Sequence, residues 1–596
     1  MQNDIDIADS GGFWLRDLSV IFILFGILYL GLSFTRPLAS PDEGRYVEIP
    51  REMVATGDWV TPRLNGMPYF YKPPMFYWMQ AAVIKNAGIS RVSARAANSL
   101  MAVLGICATY CAARALYGRK AGIASAAVLG TSLLYYALGQ IVTLDMTVSV
   151  FMSAALFCFI VAIKRSGIWR GALILGFFLA CAFAVLSKGL IGALIPGAVV
   201  FLYAVSVGPV SFLKSLKPSD AAWGALGIAL FFAVVAPWHI LAAMANPAFE
   251  NAEGMLSKKW DGQGFFWYYF IHEHILRYVD ADTSMRNQPF WFFFVFAPIG
   301  LIPWLFVLPQ SLCDAMKGGW KNLRGNNSPM LFFGVWVLFV ILFFSFSKSK
   351  LVPYIIPIYP ALAVVVGVWL AKVWENPKAF KLKVSAWLFI VGGYLLSASP
   401  VVIYFIQLRK GKLVDPGEAA VVMACFGVCM FVAATFALAG FLKNGVCRST
   451  MALVYAAIIV LFIFFNPMGV YLQRPSAEPL AAEIIKQRKD GDVVVIAFDY
   501  GKFQDLPVWL NELTYNLGKP PEEQKFGYMR EENAHDKRFL SDDEEIRNFV
   551  ENRKGAIFIA VSEGSLEDFY ECNLPAKKIA ENGILKLFKI DAKKRQ

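Results

Sequence analysis

Apolar runs long enough to cross a bilayer, each closed by a short polar break, follow one another from residue 18 to residue 470. A spanning helix needs about 17 to 25 predominantly apolar residues. Such windows predict helices over 18–34, 94–117, 121–138, 143–163, 170–186, 189–207, 221–242, 290–311, 329–346, 351–372, 384–406, 419–441 and 449–470. Thirteen crossings put the two termini on opposite sides of the membrane. The first run, LSVIFILFGILYLGLSF, is short for a span and follows Arg16 and Asp17. No small-residue cleavage site precedes the acidic stretch after it, so it is expected to remain as an uncleaved helix.

Basic residues in short loops are retained on the cytoplasmic side. One set of loops carries Arg119 and Lys120, then Lys164, Arg165 and Arg170, Lys214 and Lys217, Lys317, Lys321 and Arg324, Lys378, Lys381 and Lys383, and Lys443 with Arg448. These loops are expected inside. The other set holds GQIV (139–142), SKG (187–189), SKSK (347–350) and a discordant Arg409, Lys410 and Lys412, together with two long excursions at 35–93 and 243–289. After about residue 475 the pattern changes. AEPLAAEIIKQR and SDDEEIRNFVEN read as amphipathic helices, the second with its own cap, and 492–498, 556–562 and 583–590 as strands. The expected division is a membrane body over 1–475 and an outer α/β domain over 476–596, without internal repeats.

Composition agrees with this reading: 57% of residues are hydrophobic, 17% are charged and the mean hydropathy is +0.52. The net charge of +12 resides largely in those short loops, where topology and anionic lipid account for it. Membrane lipids are therefore expected partners and nucleic acid is not. Of nine cysteines, Cys107, Cys111, Cys158, Cys181, Cys425 and Cys429 lie in apolar runs and Cys572 stands alone in the tail, which gives neither a disulfide framework nor a metal spacing.

With the faces assigned, unusual polar residues gather on the outer one. Asp42, Glu43 and Arg45 open the first outer loop, and Lys72 follows in PYFYKPPMFYW. Asp145 lies at the outer end of the fourth span, His239 near that of the seventh, and His272, His274 and Arg277 in FFWYYFIHEHILRY. Lys348, Lys350 and Tyr354 come from SKSKLVPYIIPIYP. Each has a structural alternative. Asp42, Glu43 and Asp145 suit helix N-termini, Lys72 a snorkelling role, the histidines an aromatic belt, and SKSK contact with lipid headgroups. Separate structural causes, however, need not gather acids, cations and three of four histidines on one side, and an acid near hydrocarbon costs several kcal/mol on insertion scales.

The stretch SPDEGRYVEIPREMVATGDWVTPRLNGMPYFYKPPMFYWMQ, Ser40 to Gln80, closely resembles the first periplasmic loop of the bacterial aminoarabinose lipid A transferases and their relatives in the protein mannosyltransferase superfamily. The acid pair, GDW, LNG, PYF and KPP occur in the family's order. The resemblance implies a polytopic helical GT-C glycosyltransferase in the bacterial inner membrane, with a cytoplasmic N-terminus, a periplasmic active site and a periplasmic C-terminal domain. The donor would be a sugar on polyprenyl phosphate, and the acceptor lipid A or another envelope molecule. It also implies that Asp42 and Asp145 are catalytic. Lys72, Arg277 and Tyr354 would surround the donor phosphate, with Glu43, Arg45, His272, His274, Lys348 and Lys350 as further substrate-binding candidates. The aminoarabinose enzymes usually carry a glutamate just before the KP lysine, where it joins a histidine at a metal. Here that residue is Tyr71. No metal ligand is assigned and no cofactor is required on this reading, with a divalent ion as the alternative. A transporter of lipid-linked sugar is the rival class. It would place binding groups at mid-membrane and show repeats, whereas these residues lie at the outer face.

Overall fold

The computed structural model describes residues 13–249, 262–276, 287–325, 328–376, 382–409, 413, 416–443, 463–464, 476–531 and 538–592. Among these described residues nine helices are long and apolar enough to cross a membrane, and up to twelve crossings result if three bent pairs each count as one. They follow the predicted windows closely: α1 (Trp14–Gly31), α4 (Ser93–Tyr117), α7 (Leu144–Ile163), α8 (Gly167–Lys188) and α11 (Pro218–Ala245), then Ser328–Phe346, Val352–Glu375, Leu382–Arg409 and Pro416–Lys443. The bent pairs are α5 (Arg119–Gly130) with α6 (Leu133–Gln140), at 61°, α9 (Ile191–Val207) with α10 (Pro209–Ser215), at 110°, and Phe292–Gly300 with Trp304–Ala315, at 101°. The predicted thirteenth span, 449–470, lies outside the described residues apart from 463–464.

Charged residues from the basic loops meet one another at one end of the bundle. Asp17, at the start of α1, accepts from Arg119 Nε at 2.6 Å, Tyr110 Oη at 2.9 Å and Arg114 Nη1 at 3.2 Å. Arg170 pairs with Asp220 at 2.5 Å, and Lys372 with Asp314 at 2.8 Å. Loops predicted to share a face therefore do share one. A core of Trp336, Phe157, Phe332, Phe333 and Tyr359 fills the bundle between the two faces.

At the opposite end the first outer loop folds into α2 (Asp42–Thr56), a two-residue hairpin of β1 (Arg63–Leu64) and β2 (Met67–Pro68), and α3 (Met75–Ala87). The LNG motif is the hairpin turn. Asn65 and Gly66 have φ of 55° and 86°, the left-handed pair that a two-residue hairpin requires. Their amides donate to Glu52 at 2.5 and 2.8 Å. In GDW, Gly57 ends α2 at a φ of 72°, and Asp58 Oδ1 accepts from the Val60 and Thr61 amides, 3.0 Å each.

The C-terminal region forms a six-stranded sheet of β3 (Val493–Ala497), β4 (Tyr515–Leu517), β5 (Phe539–Leu540), β6 (Ile557–Ser562), β7 (Lys577–Asn582) and β8 (Leu585–Ile590), in the order β5-β4-β3-β6-β8-β7. The first four are mutually parallel, and β8 runs antiparallel to both β6 and β7. The predicted cap is present, with Asp542 accepting from the Glu544 amide at the head of helix Asp543–Asn552.

Candidate active site

Tyr71, Lys72, Pro73, Lys188, Ile191, Tyr269, Glu273, Phe344 and Tyr354 line one cavity of about 190 Å³ at the outer end of the bundle. They come from the first outer loop, the α8–α9 junction, the second outer loop and the junction after helix Ser328–Phe346, so segments far apart in the chain meet here. Lys72 Nζ lies over the Tyr71 ring at 4.2 Å, and Lys188 Nζ over the Tyr354 ring at 4.7 Å. A ring face attracts an ammonium group through its quadrupole. Lys188 also forms an ion pair with Asp145. The lining holds two lysines, three tyrosines and Glu273, and its ammonium and phenol groups suit an anionic leaving group in a water-poor setting.

Lys188 is the residue that sequence reasoning missed. SKG looks like a bare turn, but the lysine is the last residue of α8 and only 15% exposed. The signal was available as a cation between two apolar runs on the face where basic residues are scarce.

Glu43, expected to bind substrate, is instead fully buried and saturated. It accepts from Arg36 Nη1 and Nη2 at 2.9 Å each, Arg95 Nε at 3.0 Å and Arg95 Nη2 at 2.8 Å, the Ala39 amide at 2.8 Å and the Val142 amide at 3.1 Å. Burial pushes its carboxyl up, but Arg95 and Arg36 pull it further down, to about 2. The contact with Val142 ties the residue next to Asp42 to the segment that leads into Asp145. Arg45 is likewise buried. It donates to Gln504 Oε1 at 3.0 Å and Tyr69 Oη at 3.2 Å and pairs with Glu523 at 2.5 Å, so it joins α2 to the C-terminal region rather than facing the cavity. Lys350 spends its ammonium on the Gln288 and Ser347 carbonyls, at 2.8 and 2.5 Å, and Lys348 is exposed and outside the cavity lining.

Asp42 is exposed at the first position of α2. His239 is tied to its own helix, with Nδ1 2.8 Å from the Val235 carbonyl. His272 stacks on Tyr268 at 5.5 Å, with Nδ1 3.3 Å from Glu273. Arg277 and the side chain of His274 lie outside the described residues. Among the described residues no group of three or more His, Cys, Asp or Glu side chains is placed to hold a metal. Tyr71 presents a ring, not a carboxylate, beside Lys72.

The model of the dolichyl-phosphate-mannose-protein mannosyltransferase family matches residues 71–240. The undecaprenyl phosphate-α-4-amino-4-deoxy-L-arabinose arabinosyl transferase of Pectobacterium carotovorum is 31% identical over 420 residues, 70% of this chain and 69% of that protein. The crystal structure of ArnT from Cupriavidus metallidurans bound to undecaprenyl phosphate superposes with a TM-score of 0.78 at 24% identity, covering 96% of this chain and 97% of that one. The archaeal oligosaccharyltransferase AglB from Archaeoglobus fulgidus, at a TM-score of 0.51 and 13% identity, covers 97% of this chain and 74% of that one. Structure and sequence together establish that this chain is a membrane glycosyltransferase of the GT-C fold and belongs to the family of undecaprenyl phosphate-aminoarabinose arabinosyl transferases.

Proposed function

We propose that the protein transfers 4-amino-4-deoxy-arabinose from undecaprenyl phosphate to lipid A at the periplasmic face of the bacterial inner membrane. The observation that carries this reading is the convergence of Lys72, Lys188 and Tyr354 on one cavity at the outer end of the bundle, where a lipid-borne phosphate would lie. The named activity of the relatives supports the choice of sugar and carrier. The N-terminus is then cytoplasmic, and the sheet region from 476 onward periplasmic.

In the reaction, the bond between the anomeric carbon and the donor phosphate oxygen breaks and its electron pair stays on the phosphate. An acceptor oxygen bonds the same carbon. Lys72 and Lys188 take the growing negative charge and Tyr354 donates a hydrogen bond to it, with Arg277 the further phosphate-binding cation that the family resemblance implies. Asp145, held by Lys188, orients the donor sugar. A lipid A phosphate acceptor is already ionised, so Asp42 positions it; a hydroxyl acceptor would instead pass its proton to Asp42. His272 and His274 are the sequence neighbours of Glu273, which lines the cavity.

The test uses purified protein in lipid vesicles with labelled undecaprenyl phosphate-aminoarabinose and lipid A. Lys72→Ala is expected to raise donor KM and lower kcat together while the protein stays folded. Wild-type turnover at limiting donor would refute the phosphate site. Transfer to a protein or another glycan, but not to lipid A, would move the acceptor to the alternative class.

A further inference from the structure

Asp42 is flanked on both sides by residues that one short, distant segment grips, Gln504–Asp505. Before it, Ser40 Oγ donates to Asp505 Oδ1 at 2.6 Å. After it, Gly44 leaves no room for a side chain, because a Cβ there would lie 2.5 Å from the Asp505 amide nitrogen and 2.5 Å from the Gln504 carbonyl carbon. Arg45 then donates to Gln504 Oε1 at 3.0 Å. Asp505 is fully buried, and its second oxygen accepts from Ser476 Oγ at 2.5 Å and the Ala477 amide at 2.8 Å, at the head of helix Glu478–Gln487. One carboxylate therefore bonds the entry of the Asp42 helix to the entry of the C-terminal region.

The same region holds the rest of the platform. Asn65 Nδ2 donates to the Thr514 carbonyl at 2.9 Å, and the Thr514 amide returns a bond of 2.9 Å to Asn65 Oδ1. Gln524 Nε2 donates to the Leu64 carbonyl at 3.0 Å. Cohesion alone is met more cheaply by apolar contact than by a buried carboxylate. What directional bonds add is a fixed orientation.

We propose that Asp505 is a positioning residue for Asp42: through Asp505 and Gln504 the C-terminal region sets where the Asp42 carboxylate stands relative to the acceptor. The inference rests on the role given to Asp42 above. A misplacement of about 1 Å at a reacting group can cost about 10²-fold in rate.

The experiment measures kcat and donor KM of the full-length, lipid-reconstituted protein for Asp505→Asn and Ser40→Ala, each alone and combined with Asp42→Asn. Asp505→Asn is expected to lower kcat by about ten- to a hundredfold at unchanged donor KM, and Ser40→Ala to act in the same direction by a smaller factor. In the Asp42→Asn background neither should cost more than about twofold further, because residues acting as a unit are not additive. Should Asp505→Asn not fold, Ser40→Ala, which removes a single bond, carries the cycle. Full additivity, or unchanged kcat in a folded single variant, overturns the proposal and leaves the role of Asp42 standing. Wild-type turnover in Asp42→Asn removes that role, and the proposal with it.

Discussion

Glu43→Gln keeps the shape of the side chain and removes the single negative charge between two buried guanidinium groups. Arg36 and Arg95 have side chains only 5% and 1% exposed, so neither finds water when the carboxylate is gone. The donors on Oε2, Arg36 Nη1, Arg95 Nη2 and the Ala39 amide, would then face an amide NH₂. Breaking a buried ion pair from one side costs about 3–5 kcal/mol, a large part of the 5–15 kcal/mol that holds a typical domain folded. The bond to Val142 links this loss to the Asp145 segment, so activity per folded molecule should fall as well. Asp42 is exposed and Glu43 fully buried, so Glu43→Gln should destabilise the fold more than Asp42→Asn.

The assay is denaturant unfolding of detergent-purified protein, read out by accessibility of the outer loops to protease. A pH series provides the sign. The Glu43 carboxyl titrates near 2 in the fold instead of 4.5, so its stabilisation is complete above 4.5 and is lost as pH falls toward 2. That acid transition should be absent from Glu43→Gln. A variant within about 1 kcal/mol of wild type, with its acid transition intact, would refute the ion-pair reasoning.

Lys188→Met should raise donor KM and lower kcat, each by about tenfold or more, because it removes a cavity cation and leaves Asp145 without its partner; wild-type kinetics would exclude Lys188 from the site. Gly44→Val should loosen the C-terminal region from α2, since backbone atoms lie 2.5 Å from the added Cβ. Faster proteolysis between the last span and residue 476 is the expected sign, and wild-type resistance would contradict it. Chelation with EDTA should leave turnover unchanged, given the Tyr71 ring against Lys72. Loss of activity restored by a divalent ion would show that the metal alternative holds.

The spans were legible because a bilayer demands long uninterrupted apolar windows, and the charged breaks between them reported which loops share a face. The kinks were not. Leu301–Pro303 and Thr131–Ser132 read as interior to apolar runs, and the bends of 101° and 61° there come from packing as well as local chemistry. In the C-terminal sheet, β3, β6 and β8 stood out as apolar runs, whereas β7, KKIAEN, is a polar edge strand with no comparable pattern. At the site, residue type pointed to Lys72 and Tyr354, which line the cavity, and to Asp145, which pairs with the cavity residue Lys188, but not to which charges were already spent. Glu43 with Arg95 and Arg45 with Gln504 are pairs separated by 52 and 459 residues. No local pattern records a partner that distant, so buried structural charges and cavity charges look alike in the sequence. Much of the PDEGR…GDW…LNG stretch builds the platform, and the first outer loop reaches the cavity later, through Tyr71, Lys72 and Pro73.

The central claim, that a sugar moves from a polyprenyl phosphate to lipid A, is tested most directly by mass spectrometry of lipid A. The cells would lack their own aminoarabinose transferase, supply the undecaprenyl phosphate-aminoarabinose donor, and express either this protein or its Asp42→Asn variant. The account predicts lipid A carrying added aminopentose with the wild-type chain, and far less with the variant at equal protein level. Lipid A unchanged by the wild-type chain, with the donor present and the protein correctly inserted, would contradict it.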